Sequence, residues 1–481
     1  MPGPPTLPAV DRHWRTLALL ALVALAARAA SFGDPVIHVD EEFYLTMASA
    51  MGHGALPFVD IWDRKPIGLF LLYLPAGALP LPCSVLVYQA MALASLIATA
   101  WLIVQLAIRA GWVRGAVPGG VAYALWPDLL NGVGGQAPIF YNLPMVAAAW
   151  LIIPAEARPR RRAMGVAAML LVGVSLQIKY SVVFEGVFFG LWLLGQEWRT
   201  TRSIAAVVGY GGLLIVAALA PTLAALAVYA ALGQTDAFVY ANFLSVLHRN
   251  PDPGPEMLRN IGTLLLILSP LLAMAAGGRG GAEVGNARVR QFLAIWLCVA
   301  IMGVALFPPW FDHYGLPILV PGTACAAGFF VQARHRRIGI AVLLLVAIGG
   351  QATVLVNRAN RGDGAQLSAL ARAVGSGPGC LYVYSGSTML YPVTGRCRVS
   401  RYVVPAHINR ARESGATGID QAAELRRILE RQPAVIVMRP PFRGERPDIR
   451  ALLLGDIRPH YRLSAIRPMG RERIAIYKRT G

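Results

Sequence analysis

Charge is what this sequence has least of. Only 14% of its 481 residues are charged, where soluble globular chains run near a quarter. Acidic residues are the scarcer sign, 25 against 44 basic. Familiar chemical motifs are missing as well. No GxxxxGK[ST], GxGxxG or GxSxG element stands out, which argues against an ATP-driven pump, a nucleotide-sugar Rossmann enzyme and an α/β hydrolase. The eight histidines show no metal-ligand spacing, so no structural zinc is expected. There is no internal repeat, and the only biased segment is the N-terminal "PGPPTLP". No basic and aromatic module of a known kind is visible, so the net charge of +19 does not point to nucleic acid.

What is present is grease. The chain is 56% hydrophobic with a mean hydropathy of +0.54, and apolar runs of 16 to 28 residues recur from Leu17 to about Val356. Runs of that length read as transmembrane helices. The first, Leu17 to Ala30, follows Arg12 and Arg15 and resembles a signal peptide. With no clear small-x-small cleavage site after it, a retained signal anchor is expected. Candidate spans are 16–32, 83–108, 115–131, 138–154, 163–178, 181–195, 203–231, 258–276, 290–307, 314–333 and 337–356. The stretch Ile67 to Leu81 is ambiguous, being about 15 residues long with Pro66, Pro75, Pro80 and Pro82 in or beside it.

Arginine decides the parity. If Ile67–Leu81 does not cross, the loops at 109–114, 156–162, 196–202, 277–290 and 334–337 share one side with Arg12 and Arg15. The opposite short loops, "NGVGGQ" and "PPWFDHYG", carry no basic residue. The positive-inside bias therefore predicts eleven spans, a cytoplasmic N-terminus, and an interfacial or re-entrant Ile67–Leu81. Lys179–Tyr180, the 233–257 loop and everything after about Asn357 then share the outer face. The expected organisation is a membrane domain over 1–356, including a first outer loop at 33–82, and a small α/β domain over 357–481.

That tail has its own pattern. "GCLYVYSG" (379–386) and "PAVIVMR" (433–439) read as strands, and "RLSAIRPMGRERIAIYKR" (462–479) as a closing hairpin. "GIDQAAELRRILERQ" (418–432) reads as a helix, with Asp420 at its start and arginine at its end. Cys380 and Cys397 lie 17 apart, and a disulfide between them is left open, because spacing does not fix geometry. Cys83, Cys298 and Cys325 lie in or beside apolar spans and read as small hydrophobes.

Against this background "VDEEFYLTMASAMGHGALPFVDIWDRKPIG", from Val39 to Gly68, stands apart. Asp40, Glu41, Glu42, Asp60 and Asp63 are five of the chain's 25 acids. Acids at a helix end are ordinarily solvated flanks. Here Phe43, Tyr44, Met47 and Met51 fall at helical spacing, so the segment can lie on the bilayer and hold the carboxylates at its boundary. Lys65 precedes a proline-rich element, where an ammonium is a ready partner for phosphate. A carboxylate that takes a proton and a cation that stabilises a departing phosphate suit group transfer from a lipid phosphate.

The same stretch resembles the signature of the GT-C membrane glycosyltransferases: an Asp-Glu pair after the first span (Asp40, Glu41), then Tyr44, Gly54, Asp60 and Lys65-Pro66. It is similar to the protein mannosyltransferase, aminoarabinose transferase and galacturonosyltransferase-like branch. "SLQIKYSVVF", with Lys179, "FDHYGLPILVP", with His313 and Tyr314, and the tail's "YVYSGSTMLYPVTGRCRVSRYVVP" extend the resemblance along the chain. It implies a mainly α GT-C fold with a periplasmic α/β domain. It also implies an inverting transfer from a polyprenyl-phosphate sugar to a glycolipid, glycan or protein in a bacterial inner membrane. Asp40, then Glu41, would be the catalytic acids, and Lys65 the phosphate contact. The chain departs from the family in having Ile67 where many members have a second proline, and in offering Gln136 and Asn142 where relatives often carry an acid. A divalent metal is accordingly not expected, since one acidic pair is thin for such an ion.

The remaining candidates have plain alternatives. Lys179 at a span end ordinarily snorkels to the interface, and otherwise contacts phosphate. His313 and Tyr314 are interfacial residues or donor and acceptor contacts. Arg249 meets phosphate or headgroups. The rival reading is a transporter or lipid flippase, which would put ionisable residues inside its spans. Glu185 is the main one there.

Overall fold

The computed structural model describes residues 9–153, 160–278 and 287–480. The arginine-rich loops expected at 156–162 and 277–290 fall partly outside the described residues. Each of the eleven expected spans is helical over most of its length. Six segments are long and apolar enough to cross a membrane: Cys83–Arg109, Ile204–Ala231, Gly254–Gly277, Ala287–Ala305, Asp312–Val331 and Ala333–Val374. The others are shorter or more polar, and proline is one reason. Val113–Leu125 contains Pro118 and passes into a tighter 3-10 turn, Trp126–Leu130, with Pro127 in its first turn. Ile67–Gly77 is a helix of only 11 residues. At about 1.5 Å per residue it falls well short of a hydrocarbon core of about 30 Å.

The chain divides into two compact units. The first comprises Met1–Ala30, Ala90–Thr222 and Pro255–Val354. Two of its buried charged groups, Arg28 and Glu185, have polar partners inside it. Arg28 donates to the carbonyls of Ala124 (3.0 Å) and Gly132 (3.3 Å) and lies 3.5 Å from Asp128. Glu185 accepts from the indole of Trp296, within a cluster of Phe188, Phe189, Trp192 and Phe292.

The second unit comprises Ser31–Gln89, Leu223–Gly254 and Leu355–Gly481, so the first outer loop folds with the tail. Helix Val39–Gly52 packs on Ile67–Gly77 at a point where only glycine fits, since a Cβ on Gly77 would lie 2.5 Å from the backbone of Ala48. Thr46 donates to the carbonyl of Thr388 (3.2 Å), and Trp62 N–H to that of Arg401 (2.9 Å). The tail carries a four-stranded mixed sheet in the order β1 (Leu381–Val383), β2 (Val435–Met438), β4 (Glu472–Arg479), β3 (Tyr461–Met469). β1 and β2 run parallel, pairing Leu381 with Val435, while β3 and β4 form the expected hairpin. Its turn needs Gly470, which has φ +58° and whose Cβ would sit 2.0 Å from the carbonyl oxygen of Asn360. The expected tail helix is present as Gln421–Glu430, capped by Asp420, whose carboxylate accepts from Ala423 N–H at 2.7 Å. Cys380 and Cys397 are disulfide-bonded.

Candidate active site

Helix Val39–Gly52 begins at His38, whose Nδ1 accepts from the amide of Asp40 at 3.1 Å. Asp40, Glu41 and Glu42 occupy its first turn, where the helix dipole favours negative charge. Consecutive helical residues point about 100° apart, so the three acids meet three surroundings. Asp40 keeps part of its side chain in solvent, 18% exposed, with its carboxylate 3.9 Å from His38. Glu41 is 1% exposed. It lies close enough to Tyr73 and Tyr88 to act on both phenols electrostatically. Glu42 is also buried and bonds Arg361 and the hydroxyl of Ser387. Burial raises its pKa despite those two partners. Of the two acids expected to be catalytic, Asp40 is thus the accessible one, and Glu41 forms part of an aromatic core.

Lys65 stands over the same helix one turn further on. Its ammonium lies 5.0 Å from the ring centre of Phe43 and 5.6 Å from that of Tyr44. Tyr44 is itself buried, edge-on to Tyr73 at 5.4 Å. Among the described residues no carboxylate forms an ion pair with Lys65. The loop before it is set by Asp63, whose Oδ1 accepts from the Lys65 amide at 2.9 Å. The other oxygen of Asp63 lies 3.4 Å from Nε2 of His407, which packs edge-on against Trp62 at 4.7 Å. Burial opposes ionisation of Asp63, but Lys65, then His407 and Arg64, overcome it and hold the carboxyl down at about 2.

Other expected residues have different settings. Asp60 closes a tight turn, accepting from the amide of Leu56 at 2.8 Å. Arg249 places Nε 3.1 Å from Glu413, which Arg64 also holds. Burial works against the charge of Glu413, yet Arg64 and Arg249 bring its carboxyl down to about 2. Arg249 is therefore engaged by a protein carboxylate. Within the first unit, Lys179, His313 and Tyr314 do come together. The Lys179 ammonium is 4.5 Å from the Tyr314 ring centre, and the Tyr314 and His313 rings are 4.9 Å apart. Asp312 accepts from the His313 amide at 2.7 Å and from the side chain of Asn131.

His407, Glu413 and Arg361 are residues that sequence reasoning did not single out, and Asp63 was named only as one acid of the first outer loop, without a role. Asp63 was within reach of it, since an aspartate two residues before a Lys-Pro step suits an Asx turn. His407 lies 344 positions away in the sequence, and no local pattern marks it.

An acid-tipped helix and a lysine-proline loop after the first span, further helical spans, and a mixed-sheet tail together make a GT-C fold. No family model matches the chain, and no curated protein matches it by sequence. Solved structures do. The chain is similar to ArnT from Cupriavidus metallidurans bound to undecaprenyl phosphate, at 13% identity, with a TM-score of 0.62 over 98% of each chain. It is also similar to the oligosaccharyltransferase of Archaeoglobus fulgidus in complex with Zn and sulfate, at 13% identity, with a TM-score of 0.52 over 88% of this chain and 67% of that one. AglB from the same organism, in complex with an inhibitory peptide and a dolichol-phosphate, gives 0.51 at 13% identity over 88% and 69%. These likenesses establish a shared fold.

Proposed function

We propose that this protein is an inverting glycosyltransferase that moves a sugar from a polyprenyl-phosphate donor to an acceptor hydroxyl or amine. The observation that carries the reading is the pairing, within one unit, of a partly exposed Asp40 with Lys65 a helical turn away. Its setting is a fold shared with ArnT solved with undecaprenyl phosphate bound and with an oligosaccharyltransferase. In this reaction the Asp40 carboxylate accepts the acceptor's proton as the acceptor attacks the anomeric carbon from behind. The bond from that carbon to the phosphate oxygen breaks, its electron pair leaves with polyprenyl phosphate, and the Lys65 ammonium stabilises the departing charge. The reading keeps Lys179 as a further phosphate contact, and His313 and Tyr314 as donor or acceptor contacts. The acceptor is a glycolipid, a glycan or a protein.

Sidedness follows from the same reading: a bacterial inner membrane, with the N-terminus cytoplasmic and the tail periplasmic. The arginine distribution supports it, as does the Cys380–Cys397 disulfide, a bond that persists in oxidising compartments. The reaction is proposed to need no metal, so incubation with EDTA should leave turnover unchanged, and its abolition would overturn that part.

The test uses purified protein in lipid, a panel of polyprenyl-phosphate sugars and membrane extract as acceptor, with polyprenyl phosphate release as readout. Asp40→Asn should lower release by roughly 10²–10⁴-fold, the range of a positioned proton acceptor. Release unaffected by this substitution would sink the site. No release from any donor would return the flippase reading.

A further inference from the structure

The second unit also holds a surface cleft of about 570 Å³, built where the turn around Asp60 meets the tail. Its volume suits a small ligand. Four arginines line it, Arg398, Arg401, Arg427 and Arg431, against two carboxylates, Asp60 and Glu424. The lining therefore carries an excess of positive charge.

The arginines are committed to different degrees. Glu424 is saturated by the protein, accepting from Ser400 at 2.6 Å and from Arg427 at 2.7 and 2.9 Å. Arg431 donates to the carbonyl of Val399 at 2.7 Å. Arg401 donates to the Tyr402 hydroxyl at 2.8 Å, with its guanidinium 5.0 Å from that ring's centre. Arg398 is the exception: among the described residues its half-buried guanidinium makes no hydrogen bond or ion pair. Its backbone is nonetheless pinned. Cys397 beside it is disulfide-bonded to Cys380, and Leu381 N–H donates to the Cys397 carbonyl at 2.9 Å. Burial draws the Arg398 pKa down, with Tyr391 and Asp60 pulling the other way. A guanidinium on a held backbone, partly desolvated and without a hydrogen-bonded carboxylate, is prepared to take an anion, and its planar fork fits carboxylate and phosphate alike.

We propose that this arginine-lined cleft binds the oxyanionic group, phosphate or carboxylate, of a charged saccharide, with Arg398 as its principal contact. That the anion is borne by a saccharide rests on the transferase reading, whereas the anion site itself does not. A site separate from Lys65 would let the enzyme select a charged acceptor without competing for the donor's phosphate.

Direct binding tests this independently of turnover. The full-length protein in phosphate-free detergent would be titrated with glucose 1-phosphate, galacturonate, neutral glucose and phosphatidylglycerol, each against wild type, Arg398→Ala, Arg398→Lys and Lys65→Ala. Glucose 1-phosphate, galacturonate or both should bind and glucose should not, and whichever anion binds names the group. Arg398→Ala should weaken binding roughly 10- to 100-fold, as for loss of a charge-assisted hydrogen bond. Arg398→Lys should keep part of it, and Lys65→Ala all of it. Should Arg398→Ala fail to fold, Arg398→Gln takes its place, with the same loss expected. Binding that falls in Lys65→Ala and not in the Arg398 variants would overturn the proposal, as would equal binding of glucose or no anion binding at all. Binding of phosphatidylglycerol alone would make the cleft a headgroup site and overturn the saccharide assignment. Anion binding without polyprenyl phosphate release would sink the transferase reading and leave the cleft standing.

Discussion

Lys65 and Lys179 are two of only three lysines in the chain, and each rests its ammonium on an aromatic face. Their supports differ. Lys179 is an extended residue at the start of a short 3-10 turn, Tyr180–Val182, and its ammonium lies over the ring of Tyr314. Lys65 has two rings below it, and its backbone is held by Asp63, which His407 in turn holds. An ammonium on a four-carbon stem is a mobile point charge, so what makes it a precise phosphate contact is the rigidity of its surroundings. The comparison teaches that two ammonium groups resting on aromatic faces can be placed by different local structure, an Asx-held loop at Lys65 and a helix N-cap at Lys179.

The sharpest way to break this comparison is kinetic. After Asp40→Asn, whose loss should be the largest, Lys65→Ala should lower polyprenyl phosphate release by about 100-fold, the cost of removing one fixed donor from a developing charge. Lys179→Ala should cost about tenfold or less in the same assay. Equal losses would show that the Asp63–His407 support contributes nothing to catalysis.

The disulfide gives a second, smaller contrast, because it braces the tail and has no counterpart among the described residues of the first unit. Cys380→Ser should destabilise the tail by about 3 kcal/mol, the scale for closing a loop of this length. It should appear as a lower thermal midpoint that reducing agent no longer shifts. An unchanged midpoint would show that the sheet alone orders the segment.

The smallest effect is in pH. The folded Asp63 carboxyl sits at about 2, below its ordinary value of 3.8. A group whose folded pKa is depressed stabilises the fold above the unfolded value and loses that contribution as pH falls through the folded one. Melting curves of wild type and Asp63→Asn should therefore differ above pH 4 and converge between about 4 and 2. A constant gap across that window would mean that the charge of Asp63 is not what holds the loop.

The reading of spans worked because hydropathy is local: a run such as Ile204–Ala231 needs lipid whatever else the chain does. It did not show the change of helix type within one expected span, 115–131, where α-helix over 113–125 tightens to 3-10 helix over 126–130. Tail strands and the Asp420 cap were legible for the same local reason, each resting on a few consecutive residues. The ranking of Asp40 above Glu41 was legible only through resemblance. Adjacent carboxylates look alike in sequence, and the difference lies in what packs on each side of the helix.

By itself the sequence determined the membrane class, the helical segments, the acid-rich outer loop with its Lys-Pro step, and the strands and helix of the α/β tail. These follow from hydropathy, periodicity and short-range turn chemistry. Tertiary structure alone decided that Asp40 stays accessible while Glu41 and Glu42 are buried, and that Arg249 belongs to Glu413. It also decided that His407 reaches Asp63 and that four tail arginines surround one cleft. Each of these depends on which distant segment supplies the neighbour, and burial and charge pairing are properties of neighbours in space.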